Sequence, residues 1–309
     1  MSLNLIDLRL FVHISEAPSL TQGARRAHIS TAAASARIQQ LEARLGKQLF
    51  YRSTRGMETT RAGQRLLTHA RRVLRQVDHL VEDMSEAEDQ SGHLRILANT
   101  TAVTELMPAV LSDFLAGRPR LTIDLRERLN HDIVQGVAQG SADMGIVAGP
   151  LGTGELERFH FSTDRLVLIT PPGHLLADRQ CITPTDMIDH YHVGLHDSSS
   201  LMQFLQSRFQ DIGAVLKLRI QVSSFEAICR LVATGVGIGV IPESAAHRHC
   251  QLMALSVVPI DAPWAVRERS VVVRDATALP GGGLALLEAL KDYGRRTGAP
   301  ATASADAGA

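Results

Sequence analysis

The sequence predicts a helical N-terminal module that one long helix joins to a larger α/β domain. Residues 1–75 hold 13 Lys and Arg against 4 Asp and Glu, a net charge of +9, while the rest of the 309 residues carries −9. Apolar residues recur at helical spacing up to about residue 88, and strand-like runs then alternate with helical ones. A polar stretch, Glu86 to Gly92, separates the two patterns and marks a domain boundary.

Two short helices are predicted at the start of the basic module. The first covers residues 5–15, where apolar side chains recur at helical spacing and supply a core face. The second covers residues 20–27, with Ser19 or Thr21 as its N-cap. The link that follows, His28 to Ser30, is short enough for a helix-turn-helix.

The third predicted helix, residues 30–45, has the features of a helix that reads DNA. Ser30 is a good N-cap, and Gly46 is a natural stop. One face is apolar, whereas the other shows Thr31, Ser35 and Arg37, which can bond base edges or phosphates. Alanines, including Ala32, keep the helix slim enough for a major groove. Taken alone, the stretch also fits an ordinary Ala-rich amphipathic helix, but the preceding short helix and tight link favour DNA binding.

A short basic hairpin, or wing, is predicted over residues 49–56, and its Arg52 and Arg55 would face a phosphate backbone. A basic module on an acidic body indicates nucleic acid bound at one end only, although chance clustering of charge is the alternative. The candidate DNA-binding residues are Thr21, Ser30, Thr31, Ala32, Ser35, Arg37, Arg52 and Arg55.

A long helix is predicted from its cap at Thr60 to about Glu88. Its apolar positions step by 4, 3, 4, 3 and 4 residues from Leu66 to Met84, which is a heptad pattern. Such a seam predicts pairing with a second copy of the chain; the alternative is packing on its own domain. The candidate dimerisation residues are Leu66, Val73, Val77 and Leu80.

The remaining chain alternates strands and helices, which predicts an α/β domain with largely parallel sheets. The predicted strands cover residues 94–98, 121–125, 144–147, 165–170, 217–222, 236–241 and 270–274. The predicted helices cover residues 101–115, 133–139, 201–209, 225–234, 243–249 and 283–296. Residues 297–309 are rich in Ala, Gly, Ser and Pro without apolar periodicity, and we expect a disordered tail.

Residues 5–67 resemble the winged helix-turn-helix of LysR-type transcriptional regulators. The family usually has Gln-Pro where this chain has Thr31-Ala32, and often Arg at Ala36, so the operator sequence cannot be carried over. The matching positions are Leu8, Phe11, Ser19 to Thr21, Ala24, Ser30, Ser35, Ile38, Leu41, Glu42, Leu45, Gly46, Leu49, Phe50, Arg52, Thr60, Ala62 and Gly63.

Residues 93–296 resemble the effector domain of the same family, which is like a type 2 periplasmic binding protein with a ligand cleft between two α/β subdomains. The resemblance lies in Ala98 to Thr101, Gly140 to Ile146, Pro171 to His174, Ser223 to Ile228 and Gly235 to Pro242. It implies a DNA-binding domain (1–59), a linker and dimerisation helix (60–91), and an effector domain (92–296). Subdomain I would hold 93–162 and 268–296, and subdomain II 163–267.

Hydroxyl and amide side chains stand at three places where helices are predicted to begin, and helix N-termini attract anions. At family effector positions, their convergence indicates a small organic anion, although each group alone could be only an N-cap. The family often has Arg near Leu201, and its absence here argues against a multiply charged ligand. The candidate effector-binding residues are Asn99, Thr100, Thr101, Ser198, Ser199, Ser200, Ser224 and Phe225.

Several functions are not expected from the sequence. His247 to Cys250 could suggest a metal site, but a helix end on the surface is the preferred interpretation. No nucleophile and base stand in a known motif, so we expect neither an enzyme nor a cofactor. The longest apolar run, Leu231 to Ile241, is about half of the roughly 20 residues that a membrane span needs. With no signal peptide recognised, a cytoplasmic protein without membrane association is expected.

The sequence thus predicts an effector-responsive transcription factor. Two chains would pair through the 60–88 helices, and two dimers would join through the effector domains as a homotetramer. The expected partners are double-stranded promoter DNA, a small organic effector, further copies of the chain and RNA polymerase. A solute-binding protein or an enzyme without DNA function are the alternatives, and the basic N-terminal module argues against both.

Overall fold

A computed structural model describes residues 3–53, 56–84, 91–149, 152–279 and 281–297. The chain divides into two compact units, the first comprising Met1–Glu88 and Ala138–Ser141, and the second comprising Asp89–Val137 and Ala142–Ala309. The expectation of a disordered tail falls on residues outside the described part, apart from Thr297. In the described residues, no helix is long and apolar enough to cross a membrane.

The first unit is a small helical module with a two-stranded antiparallel wing. It contains α1 (Leu5–Ser15), α2 (Leu20–Arg26), α3 (Thr31–Leu45), β1 (Phe50–Ser53), β2 (Gly56–Thr59) and α4 (Arg61–Met84). The three short helices, the wing and the first half of α4 enclose one core. Its buried side chains are Leu8, Leu10, Phe11, Ile14, Ala24, Ala34, Ile38, Leu41, Leu49, Phe50, Leu67, Ala70 and Leu74.

Caps set the boundaries of these helices, as the sequence predicted. Of the two candidates for α2, Ser19 is the cap, and its hydroxyl accepts from the Gln22 N–H at 3.3 Å. The Ser30 hydroxyl accepts from the Ala33 N–H at 3.2 Å, and α3 ends at Gly46 with φ of 61°. Each cap provides a hydrogen-bond partner or a backbone conformation that the helix end needs. These residues therefore mark the helix boundaries for a physical reason.

The helix-turn-helix is held tight at two backbone positions. A Cβ on Gly23 would lie 2.6 Å from the Cα of Ile14, so only glycine permits this approach of α2 to α1. His28 adopts a φ of 55°, which turns the chain between α2 and α3 within a few residues. The position of α3 on the module therefore depends on local geometry as well as on core packing.

The second unit contains two sheets with helices around them. Its strands are β3 (Ser91–Ala98), β4 (Arg120–Glu127), β5 (Met144–Ala148), β6 (Glu157–Thr170), β7 (His192–Leu195), β8 (Leu218–Val222), β9 (Gly239–Pro242), β10 (Ser256–Pro259) and β11 (Val266–Val273). Its α-helices are α5 (Met107–Ala116), α6 (Asn130–Ala138), α7 (Ser200–Asp211), α8 (Phe225–Ala233), α9 (Glu243–Cys250) and α10 (Gly283–Thr297).

The larger sheet has seven strands in the order β10-β6-β11-β5-β3-β4, with β9 also paired to β6. The pairs of β3 with β4 and β5 are parallel, whereas every pair made by β6 and β11 is antiparallel. The smaller sheet is the parallel pair β7-β8. The expectation of largely parallel sheets was therefore wrong, because apolar periodicity identifies strands but does not give their direction.

Two hydrophobic cores lie along this unit. One contains Ile96, Met107 and Phe161, and the other contains Phe209 and Ile241, together with many aliphatic neighbours. Strand β6 contributes to both cores, since it pairs with β11 over its first part and with β9 and β10 over its last. The two long strands β6 and β11 thus connect the two cores, and their middle residues lie where the cores meet.

Some predicted boundaries differ from the structure. The helix expected over 101–115 is a π-helical turn, Ala102–Leu106, followed by α5. Pro108, which lacks an N–H, stands at the start of α5 and favours a break there. Ser91 and Gly92, expected in the linker, begin β3, and the four-residue strands β7 and β10 were not predicted.

Candidate DNA and effector sites

The side of α3 away from the core is exposed and carries small or polar side chains. Thr31 and Ala32 are exposed at the start of the helix, and Ser35 is half-buried one turn later. Gln39, which sequence reasoning did not single out, is exposed on the same side. Because amides and hydroxyls can bond base edges, this surface has the chemistry for direct readout in a major groove.

Arg37, a predicted DNA contact, forms an ion pair that holds α3 against α1. Its Nε lies 3.0 Å from Oδ1 of the buried Asp7, and Arg44 approaches Oδ2 of that carboxylate at 3.4 Å. A buried carboxylate needs such partners because burial without them costs free energy. Arg37 therefore has a structural role in the module; its side chain is 35% exposed, and its contact with DNA stays a prediction.

The carboxylate of Glu42, near the end of α3, holds the wing in place, and this contact was not predicted from the sequence. Glu42 accepts hydrogen bonds from the N–H groups of Leu49, at 2.7 Å, and Phe50, at 3.3 Å. The predicted phosphate contacts of the wing lie outside what the structure describes, since this covers neither the side chain of Arg52 nor Arg55. Thr21 is exposed on α2, and Ser30 is the cap of α3.

Helix α4 has two apolar faces. Leu67, Ala70 and Leu74 pack into the core of the module, so Ala70 does not belong to the heptad seam as the sequence suggested. Val73 and Leu80 are 45% and 61% exposed in the single chain. The predicted seam residues Leu66 and Val77 are partly buried. The helix therefore packs on its own domain and also presents a second apolar stripe.

A small cavity of about 20 Å³ lies in the second unit, at the ends of β3 and β5 and the start of α7. It combines four of the predicted effector residues with two arginines that sequence reasoning did not select. Its lining consists of Asn99, Thr100, Thr101, Ala148, Leu166, Ser200, Leu201, Arg267 and Arg269.

Asn130, at the start of α6, organises this cavity. Its side chain accepts from the Asn99 amide at 3.2 Å and donates to the Ala148 carbonyl at 3.0 Å. Its backbone N–H donates to the Ser200 hydroxyl at 2.9 Å, which ties the first turn of α7 to the first turn of α6. Sequence reasoning missed Asn130 because no apolar periodicity or cap pattern connects it to residues 31 positions earlier and 70 later.

The three polar side chains that follow β3, Asn99, Thr100 and Thr101, make different hydrogen bonds. Asn99 caps the following turn through the Ala102 N–H at 3.1 Å, and the Thr100 hydroxyl donates to Glu127. The Thr101 side chain makes no capping hydrogen bond, although the residue is largely buried against the cavity. Of the three, Thr101 therefore retains a hydroxyl that can bond a ligand.

Four predicted effector residues do not line this cavity. Ser224 caps α8 through the Ala227 N–H at 3.2 Å, and Phe225, 2% exposed, is part of a hydrophobic core. Ser198 is exposed beside His196, and Ser199 is fully buried without a hydrogen-bond partner for its hydroxyl. We therefore correct the assignment of Phe225, because a side chain enclosed by its own core cannot pack on a ligand in this cavity.

Arg267 is the most unusual group in the lining. The residue is 7% exposed, its Cζ lies 3.6 Å from the centre of the Phe204 ring, and one Nη lies 3.5 Å from the Ala148 carbonyl. Burial, reinforced by Arg269 and Arg208, lowers the pKa of Arg267 to about 10. The group still carries its charge at neutral pH, so the cavity has a positive wall.

The two units match two family domains. Residues 5–64 match the domain described as "Bacterial regulatory helix-turn-helix protein, lysR family", and residues 87–295 match the "LysR substrate binding domain". The HTH-type transcriptional regulator CzcR of Bacillus cereus is 28% identical over 245 residues, which are 79% of this chain and 82% of that protein.

Solved structures share the fold. A full-length OxyR variant from Pseudomonas aeruginosa superposes with a TM-score of 0.72 and 22% identity, covering 96% of this chain and 95% of that one. Full-length CbnR, crystallised with its target DNA, superposes with a TM-score of 0.52 and 22% identity, covering 94% and 100%. With both of its domain types matched in order, the chain belongs to the LysR family of DNA-binding transcriptional regulators, which are not enzymes.

Proposed function

We propose that this regulator reads promoter DNA through the exposed side of α3 and through the wing. The +9 charge of residues 1–75 supports this, because it is concentrated on the module that carries α3. CbnR, which shares the fold, is crystallised with its target DNA. Binding should be driven by counterion release, with a log–log salt slope of about −0.9 per phosphate neutralised. Arg52→Ala and Arg55→Ala should both flatten that slope, and unchanged slopes would rule out the wing as a phosphate contact.

The working form is at least a dimer joined along α4. The second apolar stripe of α4 supports this. In the single chain its large apolar side chains Val73 and Leu80 are exposed to solvent, which is typical of a surface that a partner covers. A heptad stripe covered by its own copy would bury these side chains in a coiled-coil seam. Two dimers then join through their effector domains as a homotetramer, which acts on RNA polymerase at the promoter in the cytoplasm.

The activity is set by a small organic effector in the cavity beside Thr101 and Ser200. The observation that carries this is the convergence of a hydroxyl without a capping bond, the N-terminus of α7 and the positive Arg267 on one cavity. Its volume of about 20 Å³ is room for about one water molecule, so an effector must part the cavity walls to enter. The effector therefore carries at least one group that accepts hydrogen bonds.

Thr101→Val tests this site, because valine keeps the shape but removes the hydroxyl donor. A lost hydrogen bond to a charged group costs about 1.5–3 kcal/mol, so effector affinity should fall by roughly ten- to a hundredfold. Calorimetry with a panel of small carboxylates measures the loss, and Ser198→Ala, outside the cavity, is the control. Equal affinities of Thr101→Val and the unmodified protein would exclude this cavity as the effector site.

A further inference from the structure

An ion pair joins the two halves of the second unit. Glu105 lies four residues after Thr101, in the π-helical turn before α5, on the half built around the core that contains Ile96. Arg248 lies in α9, on the half built around the core that contains Ile241. One Nη of Arg248 lies 2.8 Å from Oε1 of Glu105. The ion pair therefore links two halves that the long strands β6 and β11 also connect.

The two partners of this ion pair differ in exposure. The Glu105 side chain is 3% exposed, whereas that of Arg248 is 52% exposed. A carboxylate enclosed to this degree needs a partner, because burying an unpaired charge costs free energy. Burial and the charge of Arg248 lower the pKa of the adjacent His249, so its ring stays neutral at pH 7. Among the described residues, Arg248 is thus the cation that compensates the Glu105 carboxylate.

The cavity between the halves is closed. Thr101 and Ala148 line it from the first half, and Leu166 and Ser200 line it from the second. Its volume of about 20 Å³ is room for about one water molecule. The backbone N–H of Asn130, the first residue of α6, donates to the Ser200 hydroxyl at 2.9 Å and also crosses between the halves. The cavity walls are therefore in contact, and anything larger than water requires them to part.

We propose that the Glu105–Arg248 ion pair is a latch that holds the two halves of the second unit closed and sets how often the cavity opens. This role rests on the proposed function in one respect, since the cavity is taken as the effector site; closure itself involves no ligand. When the halves part, Glu105 passes from a buried position into water, whereas the half-exposed Arg248 changes its solvation little. The free energy of the latch therefore depends on whether the buried carboxylate is paired in the closed state.

The two partners should respond differently to substitution. Arg248→Met leaves the carboxylate of Glu105 buried without its cation, so the closed state loses stability relative to the open one. Glu105→Gln keeps the shape of the side chain and removes the charge, so the closed state no longer needs a cation. Combining the two substitutions should therefore restore the closure that Arg248→Met alone loses.

The test measures hydrogen exchange of single amides in the full chain, by mass spectrometry with fragmentation and without added ligand. The Asn130 N–H reports opening, because the first N–H of a helix has no partner inside it and Ser200 protects this one. Arg248→Met should exchange this amide at least tenfold faster than the unmodified protein. The double variant with Glu105→Gln should stay within threefold of the unmodified protein. Amides of β9, which pairs with β6 inside the second half, should exchange at unchanged rates in all of these proteins.

Two further variants make the test specific. Arg230→Met is the matched control, because Arg230 forms an ion pair of the same 2.8 Å length with Glu226, inside α8 and exposed. It should change the exchange of Asn130 less than twofold. Arg248→Gln can still donate a hydrogen bond to Glu105 but carries no charge. It should accelerate Asn130 exchange by a smaller factor than Arg248→Met, again with β9 unchanged, and it decides the question should Arg248→Met fold poorly.

Three results would overturn the latch: unchanged Asn130 exchange in Arg248→Met, an equal acceleration in β9, or no restoration in the double variant. An equal acceleration in β9 would mean that the second half unfolds instead of moving as a body. The proposed function fails separately, because the exchange test contains no ligand. An effector affinity that Thr101→Val leaves unchanged would reject the cavity as the effector site and would leave the latch in place.

Discussion

The DNA-reading helix and the effector cavity differ in how their functional residues are distributed along the chain. Helix α3 has its core face and its exposed face within 15 residues, and its caps Ser30 and Gly46 directly flank them. The cavity is lined by residues from the turn after β3 and from β5, β6, α7 and β11, which are as far apart as Asn99 and Arg269. A local surface follows from helical periodicity, whereas a cavity between strands exists only after folding.

If the regions are independent, a defect in one should leave the other intact, and the largest effect is expected at α4. Val73→Lys would place a charge in the proposed dimer seam without a partner, at a cost of about 3–5 kcal/mol in association free energy. Sedimentation velocity should show a loss of dimer while carboxylate binding persists. Gln76→Lys, at an exposed position on the same helix, is the control and should sediment as the unmodified protein. An unchanged profile for Val73→Lys would contradict the seam.

The next largest effect is a loss of stability at acid pH, which should be confined to the effector unit. Burial lowers the pKa of His192 to about 4 from its ordinary 6.5, so the folded state binds fewer protons than the unfolded state between these values. The free energy of unfolding should be highest above pH 6.5. As the pH drops towards 4, the protonation of His192 in the unfolded state should lower it by about 3 kcal/mol. Burial also lowers the pKa of His174 and His249, so the unmodified protein has further acid sensitivity.

His192→Gln isolates the contribution of His192. Urea unfolding at pH 7 and pH 4.5 should show a smaller loss of stability for this variant than for the unmodified protein. The difference should appear in the unfolding transition of the effector unit and not in that of the helical module. Equal pH dependence in the two proteins would mean that His192 does not remain neutral in the folded state.

A smaller effect is expected from Gly23→Ala in the helical module. The new Cβ would lie 2.6 Å from the Ile14 backbone, so α1 and α2 must separate, at a cost of about 1–3 kcal/mol. Thermal unfolding should show an earlier transition for the module alone, with weakened DNA binding. Gly117→Ala meets no atom within 4 Å and is the matched control. A joint shift of both unfolding transitions in Gly23→Ala would refute the independence of the two regions.

The sequence predicted the helical module well because its signals are local. The caps Ser30 and Thr60 and the stop at Gly46 each act within a few residues, and the structure has them in those roles. The structural role of Arg37 was not predicted because its partner, Asp7, lies on another helix 30 positions earlier. Periodicity placed Arg37 on a polar face but could not indicate that a buried carboxylate lies beneath it.

The cavity was predicted only in part because tertiary structure assembles it. Strand ends and helix starts pointed to Thr101 and Ser200, which do line it. The same rule selected Phe225, whose helix starts elsewhere and whose ring is enclosed by a core. Arg267 lies inside a strand, where no cap or motif distinguishes it, and the antiparallel path of β6 and β11 brings it to the cavity.

The most direct test of the division between the two regions is operator binding without effector. Fluorescence anisotropy with the DNA upstream of the protein's own gene, against a scrambled sequence, compares Ser35→Ala with Thr101→Val. Ser35→Ala should reduce the preference for the operator, by up to about 1–3 kcal/mol for a base contact, while Thr101→Val should match the unmodified protein. Loss of operator binding in Thr101→Val, or an unchanged preference in Ser35→Ala, would contradict the assignment of DNA reading to α3 and of effector sensing to the cavity.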